Sequence, residues 1–131
     1  MKAIVFFKIM FVTAVMIISI SAVNAGTPQR ITNDEVDSYN HVTAKMVYDK
    51  NGENLKPVYR FEFKYDNSDR VVEKKAFKWD GFGWSDFYVM VVKYSGNEAS
   101  IIHSMWNDKT KKYSEVNNYT CNVDDVDESL K

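Results

Sequence analysis

The chain has 131 residues, 45% apolar, 15% aromatic and 27% charged, with five glycines, two prolines and one cysteine. Glycine and proline are too scarce for a collagen-like or linker chain, and aromatics too frequent for disorder. One cysteine excludes an intrachain disulfide framework and a thiolate-built zinc site, and a net charge of −1 gives no reason to expect a nucleic-acid partner.

Lys2 and Lys8 open the chain, and the run from Ile9 to Ile20 is apolar apart from Thr13 and Ser19. Val23-Asn24-Ala25 then places modest side chains where a signal peptidase reads, so residues 1–25 are read as a signal-peptide helix cleaved between Ala25 and Gly26. The apolar core is shorter than the roughly 20 residues of a membrane span. No cysteine follows it to carry a lipid. The expected destination is therefore secreted or periplasmic, with no span left after cleavage. In such a compartment Cys121 reads as a buried small hydrophobe in preference to an unpaired thiol.

Residues 26–40 are polar and read as a flexible lead-in, and 41–123 as a single β domain. His41–Tyr48 alternates Val42, Ala44, Met46 and Tyr48 against polar positions. Asn51-Gly52 follows, a dipeptide suited to a type I′ hairpin. Leu55–Tyr65 carries the clearest period: Tyr59, Phe61, Phe63 and Tyr65 alternate with Arg60, Glu62 and Lys64, as in a strand with an aromatic inner face. Asp66-Asn67-Ser68-Asp69 turns into Arg70–Trp79, and Asp80-Gly81-Phe82-Gly83 into Trp84–Tyr94. Ser95-Gly96-Asn97-Glu98 leads to Ala99–Trp106, and 107–111 to a last strand, Lys112–Cys121. Outside the leader no window has a helical period, and the acidic tail 124–131 reads as frayed. Six strands joined by short turns predict an all-β antiparallel meander. Val89-Met90-Val91-Val92 is apolar at odd and even positions alike, which predicts a sheet curled into a barrel-like form or packed as a small sandwich.

The strands also repeat. Tyr65-Asp66, Trp79-Asp80 and Trp84-Ser85-Asp86 recur as Tyr94-Ser95, Trp106-Asn107 and Tyr113-Ser114-Glu115, making repeat-like units over about 65–93 and 94–121. The run Tyr-Arg-Phe-Glu-Phe-Lys-Tyr-Asp-Asn-Ser-Asp-Arg-Val, the Trp79 and Trp84 pair, and Met-Trp-Asn-Asp-Lys-Thr-Lys-Lys-Tyr resemble a family of small secreted Bacteroidetes proteins, domain-of-unknown-function family 3836. A shorter likeness links the Tyr-Asp…Arg-Val signature to the tyrosine–aspartate repeats of β-shell toxins. The family resemblance implies secretion and a β fold, and it carries no activity or functional residues.

Little in the chain has the pattern of catalysis. Cys121 lacks a motif, no serine sits in a Gly-x-Ser-x-Gly elbow, and the carboxylates of Asp66, Asp69, Asp80 and Asp86 lie at or beside turns, where aspartate serves the backbone. His41 and His103 have no spacing that completes a metal site. Asp49, Asn51 and Glu53 mimic the start of a calcium loop, yet Asn54 stands where glycine is needed and Arg60 where glutamate is. No enzyme activity, cofactor or metal is expected.

The aromatics form the one constellation of interest. In a meander alternate turns share an end, so the turns at 49–54, 80–83 and 107–111 bring Tyr48, Trp79, Phe82, Trp84, Trp106 and Tyr113 to one rim. Flat indoles suit the C–H faces of sugars and also favour protein interfaces. Alternatively, Trp79 with Trp84 and Trp106 with Tyr113 are cross-strand pairs that staple their hairpins. Arg60, Lys64, Lys74, Lys78 and Lys93 are read as a strip pointing outward, a solubilising face or a site for anionic glycans. The expectation is a non-enzymatic module binding a glycan or envelope protein at the rim, or else a structural, self-assembling envelope protein with no small ligand.

Overall fold

The computed structural model describes residues 13–17 and 29–131. Eight strands form one antiparallel sheet in chain order: β1 Thr13–Ile17, β2 Gln29–Val36, β3 Val42–Asn51, β4 Asn54–Tyr65, β5 Val71–Trp79, β6 Trp84–Ser95, β7 Glu98–Asn107 and β8 Lys112–Asn122. A 3-10 turn, Val123–Asp125, and one helical turn, α1 Val126–Ser129, follow. The six expected strands are β3 to β8, each bounded within a few residues of expectation.

Several expectations are corrected. Among the described residues the strands number eight, seven of them from Gln29 onward, and they form one open sheet with β1 and β8 at its edges, neither a barrel nor a sandwich. The lead-in contains β2, paired with β3 from Gln29 opposite Lys50 onward. Its polar run Thr32-Asn33-Asp34-Glu35 hides the strand from a hydrophobic pattern, while backbone pairing and the Asp34–Lys45 contact at 3.8 Å hold it. Of the expected leader helix only Thr13–Ile17 lies within the described residues, and it is extended, with Thr13 opposite Val36 and Ile17 opposite Thr32. An apolar segment satisfies the free backbone row that β2 otherwise presents. Residues 1–12 and 18–28, including the cleavage pair Ala25 and Gly26, lie outside the described residues.

Residues paired across an antiparallel ladder share a face of the sheet. One face carries the core. Val92 on β6 and Ala99 and Ile101 on β7 are buried there with Val126 and Leu130, and Met90, Tyr94, Tyr119 and Cys121 pack around them. The tail is thus ordered: Val126 and Leu130, four residues apart, lie on the same side of a helical turn and drop onto the sheet. Cys121 is half-buried against this cluster.

The double-faced apolar run at Val89–Val92 has the same explanation. Met90 and Val92 face α1, whereas Val89 and Val91 lie opposite Lys75 and Glu73. Long stems of charged side chains cover apolar surface while their heads stay wet, so no second sheet is required.

The internal repeat is visible in the loops. Asp66 Oδ1 accepts from the Ser68 and Arg70 amides at 2.9 and 3.0 Å, and Asp37 Oδ1 accepts from Tyr39 and His41 at 2.8 and 2.9 Å, 29 residues earlier. Both loops put a non-glycine residue at positive φ, Asp69 at 62° and Asn40 at 68°. At the other end Asp80 accepts from Phe82 and Gly83, and Asn107, 27 residues later, from Lys109 and Thr110. The β3–β4 turn has Gly52 at φ 62° as its first central residue, with Asn51 opposite Asn54. Positive φ at the first central position alone is the type II′ pattern, so the expected type I′ turn is not formed.

Candidate functional site

The face opposite α1 carries the aromatics that the sequence singles out. Trp79 on β5 lies directly opposite Trp84 on β6, ring centres 5.2 Å apart and planes at 69°. Trp106 on β7 lies opposite Tyr113 on β8 at 5.0 Å and 64°. Edge-to-face packing of this kind is favourable for aromatic quadrupoles. All four residues are half-buried.

Asp86 joins the two pairs. It faces the same way as Trp84, two residues away on β6, and lies opposite Phe77. The Tyr113 hydroxyl donates to Asp86 Oδ1 at 3.0 Å, and Lys75 Nζ stands 3.5 Å from the same oxygen. Lys75 Nζ also lies 5.2 Å from the Phe77 ring centre and 5.8 Å from that of Tyr113. Burial, and then the bond to Asp86, push the Tyr113 phenol well above its ordinary value. The phenol therefore stays protonated and holds Oδ1. The result is a carboxylate fixed on one oxygen between aromatic rings, suited to accepting a hydroxyl or amine hydrogen from a ligand stacked on the rings.

The expected rim is brought together only in part. Trp79, Trp84, Trp106 and Tyr113 converge. Tyr48 is on β3, opposite Pro57, and is outside both ring pairs. Phe82 is 97% exposed at the tip of the β5–β6 turn. Asp86, Lys75 and Phe77 were absent from the expected set, although the i, i+2 spacing of Trp84 and Asp86 already places them on one face.

The outward basic strip is not formed. Arg60 meets Glu35 at 3.3 Å and Glu62 at 3.6 Å, and Lys64 meets Glu73 at 3.1 Å. Lys74 and Lys78 point to the other face, where Lys74 is buried and Lys78 lies over Phe87. Lys93 is exposed as expected and outside these ion pairs, and Lys78 is exposed too, on the other face.

His41 stacks on Tyr65 at 4.4 Å, with Nδ1 3.3 Å from Asp37 and Nε2 3.2 Å from Asp69. The carboxylates approach different ring nitrogens, so the three groups do not share a coordination point. Among the described residues no cluster of histidine, cysteine, aspartate and glutamate has the geometry to hold a metal ion. Asp49, Asn51 and Glu53 line a tight hairpin, with Asp49 engaged by Arg30 at 3.3 Å.

No curated protein matches the chain. Three solved structures share its fold. A DUF3836 family protein from Parabacteroides distasonis ATCC 8503 is 25% identical with a TM-score of 0.68, over 80% of this chain and 100% of that one. One from Bacteroides vulgatus ATCC 8482 is 23% identical with a TM-score of 0.67, over 71% and 98%. A protein of unknown function from Bacteroides fragilis NCTC 9343 is 22% identical with a TM-score of 0.64, over 71% and 70%. The family model for the family of unknown function DUF3836 matches residues 1–124, and the chain belongs to that family.

Proposed function

We propose that the protein is an exported, non-enzymatic binding module that presents the Trp79, Trp84, Trp106 and Tyr113 face to a glycan. The observation that carries this reading is the position of Asp86. Tyr113 and Lys75 both engage Oδ1, on an open sheet face between two ring pairs that are half-buried and stand apart from the α1 core. A sugar ring combines an apolar C–H face, which stacks on an indole, with hydroxyls that a carboxylate accepts. A glycan array probed with the full chain tests this. Binding of a defined glycan class that falls at least tenfold in both Trp106→Ala and Asp86→Asn supports the reading. Absence of any hit, or hits that survive both substitutions, overturns it.

The edge-on geometry supports a second reading, a structural protein of the cell envelope whose ring pairs only staple hairpins. On that reading Trp79→Ala and Trp106→Ala lower stability and no array hit exists for them to change.

A further inference from the structure

Lys74, in the middle of β5, is only 4% exposed. Its register partners, Phe63 on β4 and Met90 on β6, share the α1 face. Nζ lies 4.5 Å from the Phe61 ring centre and 5.7 Å from that of Tyr88, and donates to the Leu130 carbonyl. A buried ammonium is costly unless a counter-charge meets it. Among the described residues no carboxylate lies within 4 Å of this one. Burial, and then the like charge of Lys45, push it below its ordinary value.

A cleft of about 470 Å³ opens at Lys74 between α1 and strands β3 to β5. Val42, Phe61, Phe63, Val71 and Leu130 form apolar walls, and Lys45 and Lys74 are the cations on the sheet side. Asp127 and Lys131 line the helical side, and Asp127 is exposed. Lys45 has Asp34 as a partner and Lys131 has Glu128, so among the described residues Lys74 is the lysine of this cleft without a carboxylate. The volume lies within the usual range of small-molecule sites, about 300–1,000 Å³.

We propose that this cleft binds a fatty acid, with its carboxylate against Lys74 and Lys45 and its hydrocarbon tail along the Phe61 and Phe63 wall. A single negative charge matches the single unpartnered cation. A dianionic phosphate head would instead bring a second negative charge beside Asp127, which lines the cleft, with one unpartnered cation to offset it. The tail replaces water on the apolar wall, which favours binding roughly in proportion to the area covered. The site is separate from the tryptophan face, which lies on the other side of the sheet.

Calorimetric titration of the full chain with dodecanoate, dodecanol and dodecyltrimethylammonium tests the proposal. Dodecanoate is expected to bind one to one, at least about tenfold more tightly than either other probe, the scale of a charge-assisted hydrogen bond. Lys74→Met abolishes that preference, Lys74→Arg retains most of it, and Trp106→Ala leaves it unchanged. Because Lys74 also holds Leu130, a second measurement avoids reliance on a substitution. In the native chain, bound dodecanoate should give nuclear Overhauser contacts from its methylenes to the rings of Phe61 and Phe63, which line the cleft. No dodecanoate binding, equal affinity for all three probes, or contacts from bound dodecanoate only to residues outside the cleft overturns the proposal.

Discussion

The Tyr94 hydroxyl donates to the Val71 carbonyl at 2.6 Å, and Tyr65 makes the same bond to Val42 at 2.8 Å, both partners 29 residues earlier. Each tyrosine lies at the end of a strand, by a turn, and reaches across to the first residue of the strand beside it in the sheet. The repeat in the sequence is therefore a repeated side-chain tie that closes the open end of a neighbouring strand pair, β3 with β4 and β5 with β6. The Arg70 guanidinium lies 4.2 Å from the Tyr94 ring centre and covers its face.

Tyr94→Phe keeps the ring and removes the bond. A lost hydrogen bond of this type costs about 0.5–1.5 kcal/mol, with more if the carbonyl is left dry. Tyr94→Phe and Tyr65→Phe should each lower stability by about 1 kcal/mol in chemical denaturation. A loss at one position and none at the other would show that the two ties are not equivalent.

Asp66 should govern part of the acid stability. The hydrogen bond from the Arg70 amide first, with those from the Arg70 side chain and the Ser68 amide, holds its carboxyl below the ordinary carboxylate value against the opposing effect of burial. The Arg70 guanidinium adds an ion pair at 2.9 Å. A carboxyl with a lowered folded value contributes stability above its unfolded value, about pH 4, and loses it as pH falls through the folded value. Asp66→Asn should be less stable than the parent at neutral pH, and the gap should close below about pH 4. Thermal unfolding across pH measures this, and a gap independent of pH would remove Asp66 from the acid response.

Strand positions were legible because β4 to β8 alternate strongly and are punctuated by Asp, Asn and Gly. Tyr59, Phe61 and Phe63 share one face as read, paired with Lys78, Ala76 and Lys74, although Arg60 and Glu62 on the other face are half-buried too. What the pattern hid is instructive. Lys74 sits one position from Glu73 and Lys75, and its face depends on register with Phe63. That register crosses an irregularity at Lys64 and Tyr65 and is set by the loop at Asp66. A period of two cannot count such bulges, since each one moves the following residues to the other face. The same device turns Phe87 out of step: Ala76 pairs with Tyr88 and Phe77 with Asp86. The α1 turn was invisible because Val126 and Leu130 among four acids make no helical period.

The C-terminal turn should be a structural element. Val126 is 3% exposed and Leu130 5%, and both rest on Val92, Ala99 and Ile101. Leu130→Ala should cost about 2–4 kcal/mol, within the range for leucine truncation in a core, and Val126→Ala about 1–2.5 kcal/mol. Glu128→Ala, exposed on the same turn, should cost less than about 0.5 kcal/mol. Equilibrium denaturation separates the three. Equal effects would mean that the turn is not packed as described.

The Tyr113–Asp86 bond gives a further test through alkaline titration. Burial first, and the Asp86 bond and charge after it, raise the Tyr113 phenol above its ordinary value. An acid whose folded value is raised supplies stability below its unfolded value, here about pH 10, and loses it as pH rises further. The native protein should therefore lose stability above about pH 10 as the unfolded chain ionises first. Asp86→Asn removes the charge and keeps the shape, so Tyr113 should titrate lower and part of that alkaline loss should disappear. Ultraviolet titration of tyrosinate in Asp86→Asn, with Tyr113→Phe to assign the signal, measures the shift. An unchanged Tyr113 titration in Asp86→Asn would mean that burial alone sets it. Asp86 would then not be held by Tyr113, and the carboxylate between the tryptophan pairs would lose its fixed orientation toward a ligand.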